Sequence, residues 1–324
     1  MSLKNKFVVV TGGAGFIGSH LVDRLIEEAP EKIVVLSNFF LGKQHNLNEA
    51  SSKFNNLEIV KMDVADYELV RHFFDNNNVD VVFNLAVIPL PTSLELPSWT
   101  FDKNVRITSN ICEMARGNKF KTLIHFSSSE VYGTSRYAPM DENHPLEAET
   151  PYAASKVASD SLVQSYYRTF KIDSSIVRPF NNYGPRQNAG KYAAIIPLTI
   201  RRILNNEEIV IYGDGEQTRD FVYVKDTADA AVKTYNNNSS RGKVLNIASG
   251  QEITMNTIVK SIATLMDYKK DILYRAARPG DVMRHLADIS LARELVGYEP
   301  KTKFEDGIKE TVEWYKKSMN LAIG

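Results

Sequence analysis

The chain holds a single cysteine, no excess charge of either sign and no apolar run long enough to span a membrane. Each absence excludes something. With Cys112 alone, neither an intrachain disulfide nor a thiolate metal cluster can form. A lone free thiol suits a reducing compartment, so a cytoplasmic location is expected, with Cys112 a small buried residue on a helix. Lys plus Arg number 39 and Asp plus Glu number 39. That balance argues against a protein held to nucleic acid or an anionic membrane by bulk electrostatics, and leaves room for a local basic pocket that takes a small anion. The first residues, Met1 to Lys6, run straight into an apolar strand, so neither a signal peptide nor a spanning helix is expected. The six histidines lack ligand spacing, and no catalytic metal is expected. There is no internal repeat. The Asn-rich stretch Asn236 to Ser240 reads as a solvated surface turn.

What is present is an alternation. Apolar runs at Phe7–Val10, Ile33–Leu36, Leu57–Val60, Val79–Ala86 and Thr122–Phe126 read as buried strands. Helical spacing lies between them, at about Tyr67–Phe74 and Thr100–Arg116. Repeated strand–helix units give an α/β fold, a doubly wound parallel (Rossmann) sheet covered on both faces. Such sheets bind ligands beyond the carboxyl ends of their strands. At that edge stands Thr11-Gly12-Gly13-Ala14-Gly15-Phe16-Ile17-Gly18, between the first strand and a helical run. Gly13, Gly15 and Gly18 fit G-x-G-x-x-G, and Gly12, Gly15 and Gly18 a looser form. Glycines let the backbone approach a pyrophosphate, and the helix N-terminus supplies free N–H groups and positive dipole. A dinucleotide is therefore expected on Gly12, Gly15, Phe16, Ile17 and Gly18. Leu85 and Ala86, after the strand that holds Phe83, are expected at the same crevice.

From about residue 179 prolines and glycines multiply and the pattern loosens. This predicts an interleaved boundary. Residues 1–178 with about 222–250 form the dinucleotide-binding part. About 179–221 with 251–324 form a smaller, loop-rich part that closes over the crevice.

Tyr152 and Lys156 open an amphipathic segment that runs to about Phe170. Residues four apart share a helix face. A lysine ammonium beside a phenol favours the phenolate, which lowers the tyrosine pKa and makes a general base. Ser127, Ser128 and Ser129 end the preceding strand, where a serine can hold a substrate hydroxyl against that tyrosine.

Thr11 to Gly18, Ser127 to Gly133 (S-S-S-E-V-Y-G), Pro151 to Lys156 (P-Y-A-A-S-K) and Arg178 to Arg186 (R-P-F-N-N-Y-G-P-R) occur in that order. Together they resemble the extended short-chain dehydrogenase/reductase family, and within it the nucleotide-sugar epimerases, 4,6-dehydratases and decarboxylases. The resemblance covers nearly the whole chain. It implies an NAD-dependent enzyme that acts on a nucleotide-diphosphate sugar, and a homodimer paired through about Thr100–Arg116 and Pro151–Phe170. By that resemblance Tyr152 removes the sugar O4 proton, Lys156 bonds the nicotinamide ribose and Ser128 holds the O4 hydroxyl. Pro179 and Phe180 line the nicotinamide pocket, and Asp63 and Val64 flank the adenine. Asn181 touches the sugar or its diphosphate, Arg219 and Arg278 grip the diphosphate, and Asp281 lies near the nucleoside ribose. A guanidinium fork matches phosphate oxygens, which suits both arginines.

Two departures from the family pattern matter. Ser37 stands where NAD-binding members usually carry an Asp for the adenosine ribose, with Asn38 beside it as a further cofactor-binding candidate. Serine bonds a 2′-hydroxyl but does not exclude a 2′-phosphate, and Lys43 is near in sequence; NAD is expected and NADP stays open. The second departure is Glu130, where many 4-epimerases have a small residue. Beside a C4 ketone the C5 proton is acidic, and a carboxylate there starts elimination of the C6 hydroxyl. Ser129 occupies the position of the acid in glucose-type dehydratases. Ser129-Glu130 resembles the mannose-type or acetamido-sugar enzymes, and the stretch to Leu146 resembles 4,6-dehydratases of nonulosonic (legionaminic-type) acid pathways. The expected reaction is transient C4 oxidation followed by 4,6-dehydration. A 4-epimerase, a C4 dehydrogenase that releases a keto sugar, and a decarboxylase are the alternatives. Decarboxylases of the family carry an arginine near what is Ser290 here. A non-catalytic NAD(P) sensor of this fold would be expected to lose the Tyr, the Lys or the serine, and all are present.

Overall fold

The structure is a computed structural model that describes residues 1–190, 193–276 and 284–320. Its strands are β1 (Phe7–Thr11), β2 (Lys32–Ser37), β3 (Leu57–Lys61), β4 (Val81–Asn84), β5 (Thr122–Phe126), β6 (Asp173–Pro179), β7 (Asn181–Tyr183), β8 (Ile209–Tyr212), β9 (Thr218–Tyr223), β10 (Val244–Ile247), β11 (Glu252–Thr254) and β12 (Ile272–Arg275). Its helices are α1 (Phe16–Ile26), α2 (Asn48–Lys53), α3 (Tyr67–Asp75), α4 (Leu90–Glu95), α5 (Pro97–Arg116), α6 (Pro151–Phe170), α7 (Ile195–Leu204), α8 (Val224–Asn236), α9 (Met255–Leu265), α10 (Ser290–Val296) and α11 (Phe304–Asn320).

Seven strands form one sheet in the order β10-β6-β5-β4-β1-β2-β3, and every pairing in it is parallel. The strands read as continuous apolar runs because both faces are covered. Val8 and Val10 join one core with Ile33, Val35, Val81 and Phe83. Val9 points the other way, into a second core with Val34, Leu36 and Val82. The expected doubly wound α/β sheet is present. Chain order reverses between β1 and β4, which places a ligand crevice above the carboxyl ends of those two strands.

Two small sheets lie outside it, β11-β9-β7 and β12-β8. The first is packed by α7, α9 and α11 around Tyr183, Ile196, Ile200, Phe221, Ile258 and Ile308. Helices α5 and α6 run side by side, with buried Asn104 donating to Ser155 Oγ (3.0 Å) and Thr108 to Ser159 Oγ (3.0 Å).

Cys112 is buried on α5, and burial pushes its thiol up to about 12. The Asn-rich stretch is a surface turn as expected, with Asn238 and Ser239 exposed, but its end turns inward. It caps α8 with a short turn whose last residue, Ser240, is fully buried. Ser240 meets Ser175 Oγ at 2.9 Å and donates to Thr234 O at 2.8 Å, so that serine closes a buried polar contact instead of meeting solvent.

Candidate active site

The glycine loop turns tightly under β1. Gly12 adopts φ +69°, and a Cβ there would lie 2.8 Å from Ala86 N. A Cβ on Gly18 would stand 2.4 Å from Gly12 O, so α1 packs onto the loop only because that position has no side chain. Gly15 is the N-cap of α1 and supplies no side-chain hydrogen bond. The first-turn N–H groups therefore face the crevice with the helix dipole behind them, the arrangement that receives a phosphate. Thr11 braces the neighbouring loop: its hydroxyl accepts from Leu85 N and Ala86 N, both at 3.1 Å.

Above the strand ends lies a cavity of about 780 Å³. It is lined by Gly12, Gly15, Phe16, Ile17 and Gly18, by Ser37, Asn38, Asp63, Val64, Leu85 and Ala86, and by Ser128, Glu130, Tyr152, Pro179, Phe180, Asn181 and Arg219. Nearly every candidate from the sequence thus meets in one space. Two do not reach its wall. Lys156 sits behind Tyr152 and is only 5% exposed, and Ser129 is buried where the strand end turns into a short helical segment. Arg278 and Asp281 lie outside the described residues.

At the β2 end, Ser37 Oγ accepts from Phe39 N (3.2 Å) and Asn38 Oδ1 from Phe40 N (3.0 Å). Lys43 is exposed and does not line the cavity. Gly42 and Asn46 fold this loop onto Ala14; Asn46 Nδ2 donates to Ala14 O at 3.0 Å. Asp63 accepts from Ala65 N (3.0 Å) and pairs with Lys103 Nζ (2.9 Å).

Tyr152 is hydrogen-bonded to Ser128, which favours its phenolate, but burial dominates and pushes the phenol up to about 12. Lys156, expected to depress it, is not among the groups that shift it here. Lys156 Nζ is turned to the β5 end, donating to Phe126 O at 2.5 Å. Burial lowers its own pKa to about 8, with Asp160 acting the other way. Burial raises the Glu130 carboxyl; Arg219 opposes that and Glu149 adds to it. Arg219 Nη1 donates to Thr218 O at 2.8 Å, and Asn181 Nδ2 to Asp220 O at 3.4 Å.

Chemically, the cavity offers an uncapped helix N-terminus, a hydroxyl pair (Ser128, Tyr152) with the Glu130 carboxyl near it, and the Arg219 guanidinium. Sequence reasoning missed Arg202, Tyr212 and Gln217, which also line the cavity. A basic residue on an amphipathic helix looks the same in sequence whether it faces solvent or a ligand. The apolar lip Val87 to Pro91 was also missed, because its run breaks at Pro89 and Pro91.

Comparison with known proteins fits this geometry. A family model described as GDP-mannose 4,6 dehydratase matches residues 9–311. The UDP-glucose 4-epimerase of Mycolicibacterium smegmatis is 33% identical over 310 residues, covering 95% of this chain and 98% of that protein. The UDP-N-acetylglucosamine 4-epimerase from Methanobrevibacter ruminantium, solved in complex with UDP-N-acetylmuramic acid, superposes with a TM-score of 0.90 at 37% identity, over 98% of this chain and 100% of that one. The dTDP-glucose 4,6-dehydratase from Bacillus anthracis, solved in complex with NAD, gives 0.86 at 30% identity, over 97% and 98%. The chain belongs to the GDP-mannose 4,6-dehydratase family of the extended short-chain dehydrogenase/reductases, enzymes that modify nucleotide sugars.

Proposed function

We propose that this enzyme binds NAD, oxidises C4 of a nucleotide-diphosphate hexose transiently and then eliminates water across C5 and C6. The observation that carries the reading is Glu130. Asp63 and Glu130 are the two carboxylic acids among the described residues lining the cavity, and Asp63 is paired with Lys103. That leaves Glu130, beside Tyr152 and Ser128, as the acid–base group at the sugar.

The residues fit the dinucleotide. The uncapped α1 N-terminus takes the pyrophosphate, in a cradle that a Cβ at Gly12 or Gly18 would fill. Ser37 and Asn38 meet the adenosine ribose, Asp63 and Val64 the adenine, and Pro179 and Phe180 the nicotinamide. Bound there, NAD would supply the acceptor for the C4 hydride and the hydride that goes back to C6. Tyr152 accepts the O4 proton as that hydride leaves, with Ser128 holding the hydroxyl and Lys156 supporting the phenolate. With C4 a ketone, Glu130 takes the C5 proton. The C6–O bond breaks as the C5–C6 double bond forms, and the proton on Glu130 leaves with the hydroxide as water; a hydride to C6 and the O4 proton, passed from Tyr152 to C5, would then complete the 4-keto-6-deoxy product. Ser129 is buried off the cavity, so the single carboxyl serves as base and then as acid. Arg219 and Asn181 hold the diphosphate and sugar.

The 4-epimerase reading is the alternative, favoured by the likeness to two 4-epimerases of nearly equal length. Incubation with nucleotide hexoses separates the two, with UDP-linked acetamido sugars tried first on the strength of the Glu130 to Leu146 pattern. Dehydration gives a 4-keto-6-deoxy product lighter by one water. A product of unchanged mass, inverted at C4, would replace dehydration by epimerisation. Released keto sugar with accumulating NADH would mean a simple dehydrogenase.

NAD is preferred over NADP on this reading, because Lys43 stays off the cavity wall and supplies no cation for a 2′-phosphate. Ser37 imposes no charge penalty, so the preference is modest. Ser37→Asp is expected to weaken NADP binding about tenfold or more through like-charge repulsion and to spare NAD. Calorimetric titration of both dinucleotides checks this. Equal weakening of the two would place the ribose elsewhere.

A further inference from the structure

Asp160 lies on α6 one turn beyond Lys156, away from the cavity wall. Its carboxylate is 2% exposed, as is the side chain of its ion-pair partner Arg178 on β6. Oδ2 accepts from Arg178 Nη2 at 2.7 Å and from Ser127 Oγ at 2.6 Å. Arg178 is in turn held by Tyr132, to whose hydroxyl Nη1 donates at 2.7 Å. The Tyr132 hydroxyl donates to Asn246 Oδ1 at 2.7 Å, on β10. On the other side, His125 Nε2 stands 3.9 Å from Asp160 Oδ1, and His125 meets Asn84, which accepts from Thr11. A buried polar seam therefore crosses β1, β4, β5, β6 and β10 just beneath the ligand edge, and Asp160 is its joint.

Stability does not account for such a pair. Two buried charges lose hydration, and an apolar pair of similar volume usually serves as well or better. What the pair does is geometric. Three consecutive residues at the β5 end each meet a different turn of α6. Phe126 O receives Lys156, Ser127 binds Asp160, and Ser128 binds Tyr152. Two of these contacts are the hydroxyl pair and the lysine that carry the proposed hydride chemistry. The third sits between them in sequence and has no other evident task.

We propose that Asp160 is a positioning residue: clamped by Arg178, it fixes Ser127 and so sets the Ser128–Tyr152 pair, and its carboxylate is the buried anion one helical turn from the Lys156 ammonium. The charged and titratable groups around Lys156 are Tyr152 and Asp160 on its own helix, His125 on β5 and Arg178 on β6, with Glu130 on the turn that follows β5. Burial holds His125 well below its usual range, so it adds no positive charge. Asp160 opposes the loss of the Lys156 proton and also disfavours the Tyr152 phenolate. Removing its charge should therefore move both groups in one direction, toward lower pH.

The proposal rests on the proposed roles of Tyr152 and Lys156, yet its test needs no substrate. Lysine side chains labelled with nitrogen-15 are titrated by NMR in the full-length protein, the Lys156 signal being the one lost in Lys156→Arg. In Asp160→Asn the Lys156 midpoint is expected to fall by about one pH unit. Asp160→Glu, which keeps the charge, should hold the wild-type midpoint. Should Asp160→Asn fail to fold, Asp160→Ser, which removes the same charge, leaves room for a water beside Arg178 and keeps that cation in place, should show the same fall. A Lys156 midpoint unchanged in whichever neutral variant folds overturns the proposal, as does an equal fall in Asp160→Glu. Where a substrate is turned over, the alkaline limb of the kcat–pH profile, set by loss of the Lys156 proton, should shift to lower pH in Asp160→Asn. A shift in the NMR midpoint without turnover of any nucleotide hexose would keep this inference and sink the proposed reaction.

Discussion

Tyr152→Phe is expected to lower turnover by about 10²- to 10⁴-fold, the range that a positioned acid–base group supplies. The substitution keeps the ring that lines the cavity and deletes only the hydroxyl bonded to Ser128. Dinucleotide affinity should therefore change little, because on the proposed reading α1 takes the pyrophosphate and the β2 end the ribose. The phenol is the group whose demand is hardest to meet. Burial pushes it up to about 12, so near neutral pH it is protonated unless a cation supports the phenolate. Lys156 is one turn away and is held on Phe126 O, so Lys156→Met should cost turnover as well, while Lys156→Arg keeps a charge and should cost less. Ser128→Ala removes a hydroxyl that helps the phenolate form and should cost less than Tyr152→Phe. Turnover and NAD titration are measured on the same preparations. Tyr152→Phe turning over within tenfold of the wild-type rate would remove Tyr152 from the chemistry.

The sheet was legible because its strands are buried on both faces. Val8, Val9 and Val10 form a continuous apolar run for that reason, and a run so short between helical segments fits a strand inside a covered parallel sheet. The cradle was legible because two of its glycines are forced by contact, Gly12 against Ala86 and Gly18 against Gly12. The orientation of Lys156 was not. A spacing of four places two residues on one helix face but says nothing of a carbonyl at a strand end thirty positions earlier, and that carbonyl took the ammonium. The placement of Ser129 was not legible for a similar reason. Three serines in a row look equivalent in sequence, yet the turn after β5 points Ser127 at Asp160, Ser128 at Tyr152 and leaves Ser129 buried off the cavity. Asp160 was visible only as an acid four residues after Lys156. Its importance lies in Arg178 and Ser127, which the fold brings to it from two other strands' ends. Residues whose role follows from backbone contact or repeated spacing were readable; those whose role follows from the direction of one side chain were not.

Glu130→Gln is the substitution expected to divide the reaction. It keeps the shape and hydrogen-bonding capacity of the side chain and removes the base. Dehydration should fall by about 10²- to 10⁴-fold, while oxidation at C4, which depends on Tyr152, Ser128 and Lys156, should continue. Mixing the variant with substrate should then give a persistent rise in reduced-nicotinamide absorbance without loss of water from the sugar. In the wild-type enzyme that absorbance should be transient. The pH dependence has a definite sign. Burial raises the Glu130 carboxyl above the usual glutamate range, more than Arg219 lowers it. The base is the carboxylate, so dehydration is present above that raised pKa and is lost as pH falls through it. The acid limb of the rate profile should therefore lie above the range of an exposed glutamate. Arg219→Met removes the opposing cation and should move that limb further toward neutral pH, besides weakening substrate binding. Glu130→Asp, which keeps the charge but shortens the reach, should retain the limb and lose rate. If Glu130→Gln still released a lighter product at the wild-type rate, another group would be the base. If it formed a C4-inverted product as fast as the wild type, with no loss of mass in either, the carboxyl would be a binding group in a 4-epimerase.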